Sequence, residues 1–370
     1  MIYSYAIEIT IWGIISFILS VLINRYLINN KSALEIKKSN SSAERFASQT
    51  KPIYGGITFF AVFLVFTISY ILIMDTNFQI NNKIFGIGLV AILGFFMGLA
   101  DDMLSTPPIF KFSIQLLIAF LLIYFDIYID IFENNILNYT LTILWIVGIM
   151  NSINMLDNMD AITSVITLTI LSGMFFNIGL SNDYTLLPFL FGIAVVFSSI
   201  LGFLKFNWSP SKIYMGDNGS QFIGALLGAM GILFLWNIHP TGNSSVYFPR
   251  QLLVIVFAFL IPIIDTTTVT INRLLKGKSP FQGGSDHTTH HLSYLGLKDN
   301  QVAILLMIIS VVSVSLSSYI VNFANKWSAF DTFSYGTLAF IIFFLLYVNT
   351  RSSKTKAKKV IKAFKKSETI

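Results

Sequence analysis

Long apolar runs separated by short polar gaps extend through nearly the whole chain. Eleven runs predict helices, near residues 7–27, 56–74, 84–100, 112–128, 140–153, 162–180, 186–203, 221–238, 252–271, 302–321 and 333–348. A membrane crossing needs about 20 mostly apolar residues, and only the fifth run is clearly short. The expected fold is an all-α integral membrane protein, a polytopic bundle of about 11 transmembrane helices. Residues 1–350 make a single transmembrane domain and residues 351–370 a basic tail. No internal repeat or inverted half-and-half symmetry is visible.

Composition excludes a soluble enzyme. The chain is 55% apolar and 11% charged, with mean hydropathy +0.73, where a soluble domain carries about 25% charged residues. Charge also orients the bundle. With the N-terminus outside, 21 of the 24 Lys and Arg lie in inner gaps or the tail, and only Lys83, Arg250 and Lys326 lie outside. That positive-inside bias predicts an odd number of spans and a cytoplasmic C-terminus. The first run has no basic residue before it and Arg25 at its far end, the reverse of a cleavable signal peptide, so it reads as an anchor. The net charge of +6 follows mostly from this topology, and the basic tail suits anionic lipid better than nucleic acid. The absence of cysteine removes disulfides, thiolate zinc sites and cysteine nucleophiles.

The five odd-numbered gaps hold the unusual polar clusters, and alternate gaps face the same side. An active site on one membrane face explains this better than a pore. The first inner gap ends in TKPIYGG, with Lys51 at the membrane edge and Gly55–Gly56 opening the next run. Those glycines suit either close backbone approach to a ligand or helix packing. In the second, Asp101 and Asp102 end an apolar run. Adjacent carboxylates repel unless a cation or proton lies between them, and Mg²⁺ prefers one or two carboxylates plus phosphate oxygens. Lys111 follows as a point charge for phosphate, with Gln115 one helical turn later.

In the third, Asn151, Asn154, Asp157 and Asp160 are spaced by three, which in a helix puts them in one row. Such a row suits a nucleotide or metal, or else a helix cap. In the fourth, Gly216-Asp217-Asn218-Gly219-Ser220 is a glycine-rich turn opening a helix, where backbone N–H groups bind anions. Asp217 would be a metal ligand there, and Tyr214 could stack on a base. The fifth follows Asp265, near Pro262, and carries Arg273, Lys276, Lys278, Asp286 and the cluster His287, His290 and His291. His287 and His291 share a face if helical. Zinc is the alternative, but no HExxH pattern is present and the neighbouring charges suit phosphate better. His239, alone in an outer gap, reads as a surface residue.

From TKPIYGG to HTTHHL, with five motifs in order, the chain resembles the polyprenyl-phosphate N-acetylhexosamine-1-phosphate transferases, the membrane family of WecA, TagO and MraY. The resemblance implies ten or eleven transmembrane helices and a cytoplasmic cleft in a bacterial inner membrane. The implied reaction moves a sugar 1-phosphate from a UDP-sugar donor to a polyprenyl phosphate, with UMP as co-product and Mg²⁺, or Mn²⁺ in its place, as cofactor. Position by position it implies catalytic roles for Asp101, Asp102, Asp217 and His287, with Asp217 and Asp102 on the metal. Lys51, Lys111, Asn151, Asn154, Asp157, Asp160, Tyr214, Arg273, His290 and His291 become the substrate-binding set. HTTHHL looks like the WecA and TagO branch, which favours a UDP-N-acetylhexosamine such as UDP-GlcNAc over the muramoyl-pentapeptide donor of the MraY branch. Both glycines of the family's Asp-Gly-x-Asp-Gly are replaced, by Asn158 and Ala161, and Ser105 stands where a third aspartate sometimes occurs. Partners are then the donor, the lipid acceptor and the membrane, with no nucleic acid; a homodimer, a transporter and a lipid-binding scaffold remain open alternatives.

Overall fold

The computed structural model describes residues 2–30, 51–73, 82–181, 183–238, 247–279, 284, 286–324 and 326–367. His239 lies outside them. Thirteen α-helices follow in order: α1 Ile2–Asn29, α2 Gly55–Ile73, α3 Asn82–Leu104, α4 Pro108–Tyr124, α5 Asn135–Leu156, α6 Ile162–Leu180 and α7 Leu187–Asn207. Then come α8 Gly216–Gly231, α9 Phe248–Ala258, α10 Leu260–Leu274, α11 Thr288–Tyr294, α12 Asp299–Asn322 and α13 Ala329–Ser367. No strand occurs among the described residues. Eight described helices are long and apolar enough to cross a membrane, and α9 with α10 would make a ninth span. Two shorter apolar helices, Gly55–Tyr70 and Pro108–Tyr124, account for the remaining apolar runs.

The ninth run is not one straight helix. It breaks at Phe259, where α9 and α10 meet at 87°. Pro262 has no N–H to offer the Ala258 carbonyl four residues earlier, and its ring crowds that carbonyl, which kinks or breaks an α-helix there. Pro262 instead sits in the first turn of α10, where no donor is needed. α13 passes residue 350 unbroken and ends at Ser367, because the stretch beyond it is rich in Lys and Ala and has no Gly or Pro.

α8 is the central helix, almost wholly buried, whereas α1 and α13 lie at the periphery. Glycines let its neighbours approach closely. A methyl group on Gly98 of α3 would strike the Asp217 carbonyl, and one on Gly56 of α2 would strike Gly219. Gly224 of α8 lies against the backbone of Met150 in α5. The Gly55–Gly56 pair is thus a packing device: Gly55 N–H donates to the Tyr214 carbonyl and Gly56 N–H to that of Met215, both at 3.0 Å. Arg250, basic in an outer gap, is buried because its guanidinium donates to the Ile320 carbonyl at the C-terminal end of α12.

Candidate active site

The C-terminal ends of α3 and α5 and the N-terminal ends of α2, α4 and α8 meet at one end of the bundle. There Lys111 Nζ lies 2.5 Å from Asp101 Oδ2 and 3.2 Å from Asp217 Oδ2. Lys111 is three residues into α4 and Asp217 is in the first turn of α8. Asp101 is further held by Thr106, whose N–H and hydroxyl both donate to Oδ1, at 2.9 and 2.6 Å. Ser105, in a left-handed conformation (φ 51°), turns the chain from α3 toward α4.

The adjacent Asp102 points elsewhere. Its Oδ2 accepts from the Asn218 backbone N–H at 2.9 Å and from the Asn218 side-chain amide at 2.6 Å. It therefore satisfies a donor at the start of α8, which Met215 leaves without a side-chain cap. Sequence reading places Asp102 beside Asp217 as metal ligand; in the structure Asp101 is the residue sharing an ammonium partner with Asp217.

A second group lies beside the first. Lys51 Nζ sits 5.1 Å from the centroid of the Tyr214 ring and 3.3 Å from Ser211 Oγ. Ser211 in turn donates to Asp160 through its N–H (2.9 Å) and hydroxyl (2.7 Å). The Tyr214 N–H donates to the Pro52 carbonyl at 2.8 Å and the Asn218 side-chain amide donates to the Ile53 carbonyl at 3.0 Å, which fixes Lys51 relative to α8.

The expected row of four polar groups on one helix is corrected. α5 ends at Leu156 and Asp157 is its C-terminal cap, so Asp157 and Asp160 lie in a turn. Asp and Asn side chains compete for backbone groups and weaken a helix, and Ala161 then takes φ 66° in the left-handed region. Asn207 supports that conformation by accepting from the Ala161 N–H at 3.1 Å. Asn151 and Asn154 tie helices together. Asn151 donates to Gln115 Oε1 of α4 at 2.8 Å, and Asn154 to Ser220 Oγ of α8 at 2.9 Å.

The third group is the histidine segment. His287 caps α11, and His290 and His291 lie within that helix, all three buried. Asp265 of α10, 1% exposed, sits 2.8 Å from His287 Nδ1 through Oδ2 and accepts the Thr288 N–H at 2.7 Å through Oδ1. A carboxylate on Nδ1 sets the tautomer and aims Nε2 the other way. Burial, and then the neighbouring His287, push His290 down to about 4, so it is neutral at physiological pH. Arg273 and Lys276 both approach Asp286 Oδ2, at 3.9 and 3.5 Å.

Sequence reasoning omits Asp265, Asn158, Ser211 and Thr289 from the site. Asp265 had a usable signal, being the one carboxylate in the run 252–271 that directly precedes the histidine gap. Among the described residues no three His, Asp or Glu side chains converge as a metal cage. The donor set of Asp101 and Asp217 nonetheless fits Mg²⁺, because two hard carboxylates converge on a single cationic group, where Lys111 now stands.

A helical bundle with this many apolar helices, and with paired carboxylates and basic residues at one end, is that of a multi-pass membrane protein. The sequence signature of Glycosyl transferase family 4 matches residues 84–235. Over those residues the chain is similar to that family. It is 29% identical over 286 residues to the probable undecaprenyl-phosphate N-acetylglucosaminyl 1-phosphate transferase of Bacillus subtilis, covering 74% of this chain and 73% of that protein. It is 27% identical to a phospho-N-acetylmuramoyl-pentapeptide-transferase of Prochlorococcus marinus, over 81% of this chain and 88% of the relative. A decaprenyl-phosphate N-acetylglucosaminephosphotransferase of Mycolicibacterium smegmatis is 28% identical, over 57% of this chain and 56% of its own length.

Proposed function

We propose that this protein transfers N-acetylglucosamine 1-phosphate from UDP-GlcNAc to undecaprenyl phosphate, releasing UMP, as the first membrane step of a bacterial envelope glycan. The observation that carries the reading is Lys111 held between Asp101 and Asp217. A diphosphate donor and a phosphate acceptor bring much negative charge together, and phosphoryl transfer is mostly positioning and charge neutralisation. Mg²⁺, held by Asp101 and Asp217, would supply the neutralising charge on the diphosphate.

Lys111 and Lys51 hold phosphate oxygens, and the turn at Asp157–Asp160 with Tyr214 receives the nucleoside. A lipid phosphate oxygen forms a bond to the sugar-bearing phosphorus while the bond from that phosphorus to the bridging oxygen breaks, and UMP leaves with that oxygen. A phosphomonoester has a second pKa of about 6, so the acceptor is largely dianionic at neutral pH and needs little help from a base. Asp101 and Asp217 therefore serve by placing charge, and His287 by gripping the donor.

The eleven apolar runs cross the membrane eleven times in this reading, α9 and α10 together making one crossing, with the N-terminus outside and the site and C-terminus cytoplasmic. The odd count is supported by the 21 basic residues it puts inside. Purified protein given UDP-GlcNAc, undecaprenyl phosphate and Mg²⁺ should release UMP. Turnover of the UDP-muramoyl-pentapeptide donor instead would place the chain functionally with its Prochlorococcus relative.

A further inference from the structure

α11 has seven residues, too few to hold a helical conformation alone. It packs against α10, α12 and α13, and side-chain bonds from α10 and from the turn after α5 hold its first residues. Asp265 of α10 grips only its start, through His287 and Thr288. The second anchor comes from the turn after α5: Thr289 Oγ1 donates to Asn158 Oδ1 at 2.5 Å. Thr289 is fully buried, so water does not compete for its hydroxyl.

Asn158 is suited to this contact in a way few residues are. Its Nδ2 donates to the Met155 carbonyl at 2.9 Å, which turns its Oδ1 toward Thr289. Asp in its place would lose the donor and set a carboxylate against the Met155 carbonyl; Gly would lose both bonds. The two anchoring helices are themselves locked together. Ser152 of α5 donates to the Pro262 carbonyl of α10 at 2.8 Å, and Thr266 of α10 donates to Ser152 at 2.8 Å.

We propose that Asn158 is a positioning residue that, through Thr289, clamps the histidine helix to the Asp157–Asp160 turn, so that donor binding at the turn and the placement of His287, His290 and His291 are one coupled event. The inference rests on the transferase reading for its kinetic consequence, but the clamp itself is a matter of this chain's packing. Asn158 and Thr289 belong to different motifs, and neither carries a group that titrates or transfers.

The test compares Asn158→Gly, Thr289→Val, the double variant and Thr289→Ser with wild type in lipid nanodiscs. KM for UDP-GlcNAc should rise about threefold to tenfold in each of the first two, the loss expected from one hydrogen bond, with KM for the lipid unchanged. The double variant should be no worse than the more affected single, and Thr289→Ser should behave as wild type. Hydrogen exchange over residues 288–292 should quicken alike in Asn158→Gly and Thr289→Val and stay slow in Thr289→Ser. Multiplying losses in the double variant, or equal defects in the serine variant, would overturn the clamp. Wild-type protein that releases no UMP from UDP-GlcNAc would instead remove the donor assignment, and the exchange experiment would then decide the clamp alone: unchanged exchange in both single variants overturns it.

Discussion

Asp102 accepts two hydrogen bonds from Asn218, one from its backbone N–H and one from its side-chain amide, and so closes the start of the central helix α8. Its neighbour Asp101 faces Lys111. Adjacent residues of a helix do not share a face, so the pair divides into one residue at the site and one behind it. Asp102→Ala leaves a buried donor unmet and should cost about 1–3 kcal/mol of stability, seen as a lower melting temperature in detergent. Asp101→Asn should melt as wild type does while UMP release collapses. Equal melting temperatures for Asp102→Ala and wild type would dismiss the division.

Lys111 occupies the place between two carboxylates that a divalent cation would want. Lys111→Ala removes the ammonium and leaves Asp101 and Asp217 facing each other across it. A ligand that binds only the folded state stabilises it by mass action. Millimolar Mg²⁺ should therefore raise the melting temperature of Lys111→Ala by more than it raises that of wild type, whatever happens to turnover. Adding Asp217→Asn should abolish the Mg²⁺ shift. A shift that survives the loss of Asp217 would place the ion elsewhere.

Ala161 holds a left-handed backbone at φ 66°. A side chain at such a position costs conformational energy that glycine avoids. Ala161→Gly should stabilise the protein by about 0.5–1 kcal/mol, measurable as a raised unfolding midpoint, with Asn207 continuing to hold the turn. A lowered midpoint would show that the contacts of the Ala161 methyl group outweigh the backbone strain.

His290 is buried and held down at about 4, against about 6.5 in an unfolded chain. Between those values the unfolded chain binds a proton that the folded one does not, so this residue's contribution to stability is present above about pH 6.5 and is lost as pH falls toward 4. His290→Gln should thus show a smaller drop in melting temperature than wild type on going from about pH 7.5 to about pH 5. Parallel drops would mean that His290 reaches solvent and titrates normally.

Much of the architecture is legible along the chain because a membrane crossing imposes its own length and polarity. The apolar runs follow from that requirement alone. The polar clusters are legible too: Lys51, Lys111, Asp101 and Asp217 lie near the ends of runs, and the histidine segment lies in a gap between runs. Three things are not. The break at Phe259 lies in an apolar run whose only mark is Pro262, and a proline there is compatible with a kink or a stop. The end of α5 at Leu156 depends on whether the Asp157–Ala161 segment bonds to itself or to Ser211, Asn207 and Thr289. The choice between Asp101 and Asp102 depends on how α3 is rotated, which Gly98 decides by letting α8 close on one side of it. The sequence by itself determined an all-helical membrane chain with its reactive groups at one end. Tertiary structure alone decided which carboxylate faces Lys111 and which supports α8, because rotation about a helix axis is set by packing against neighbours distant in sequence.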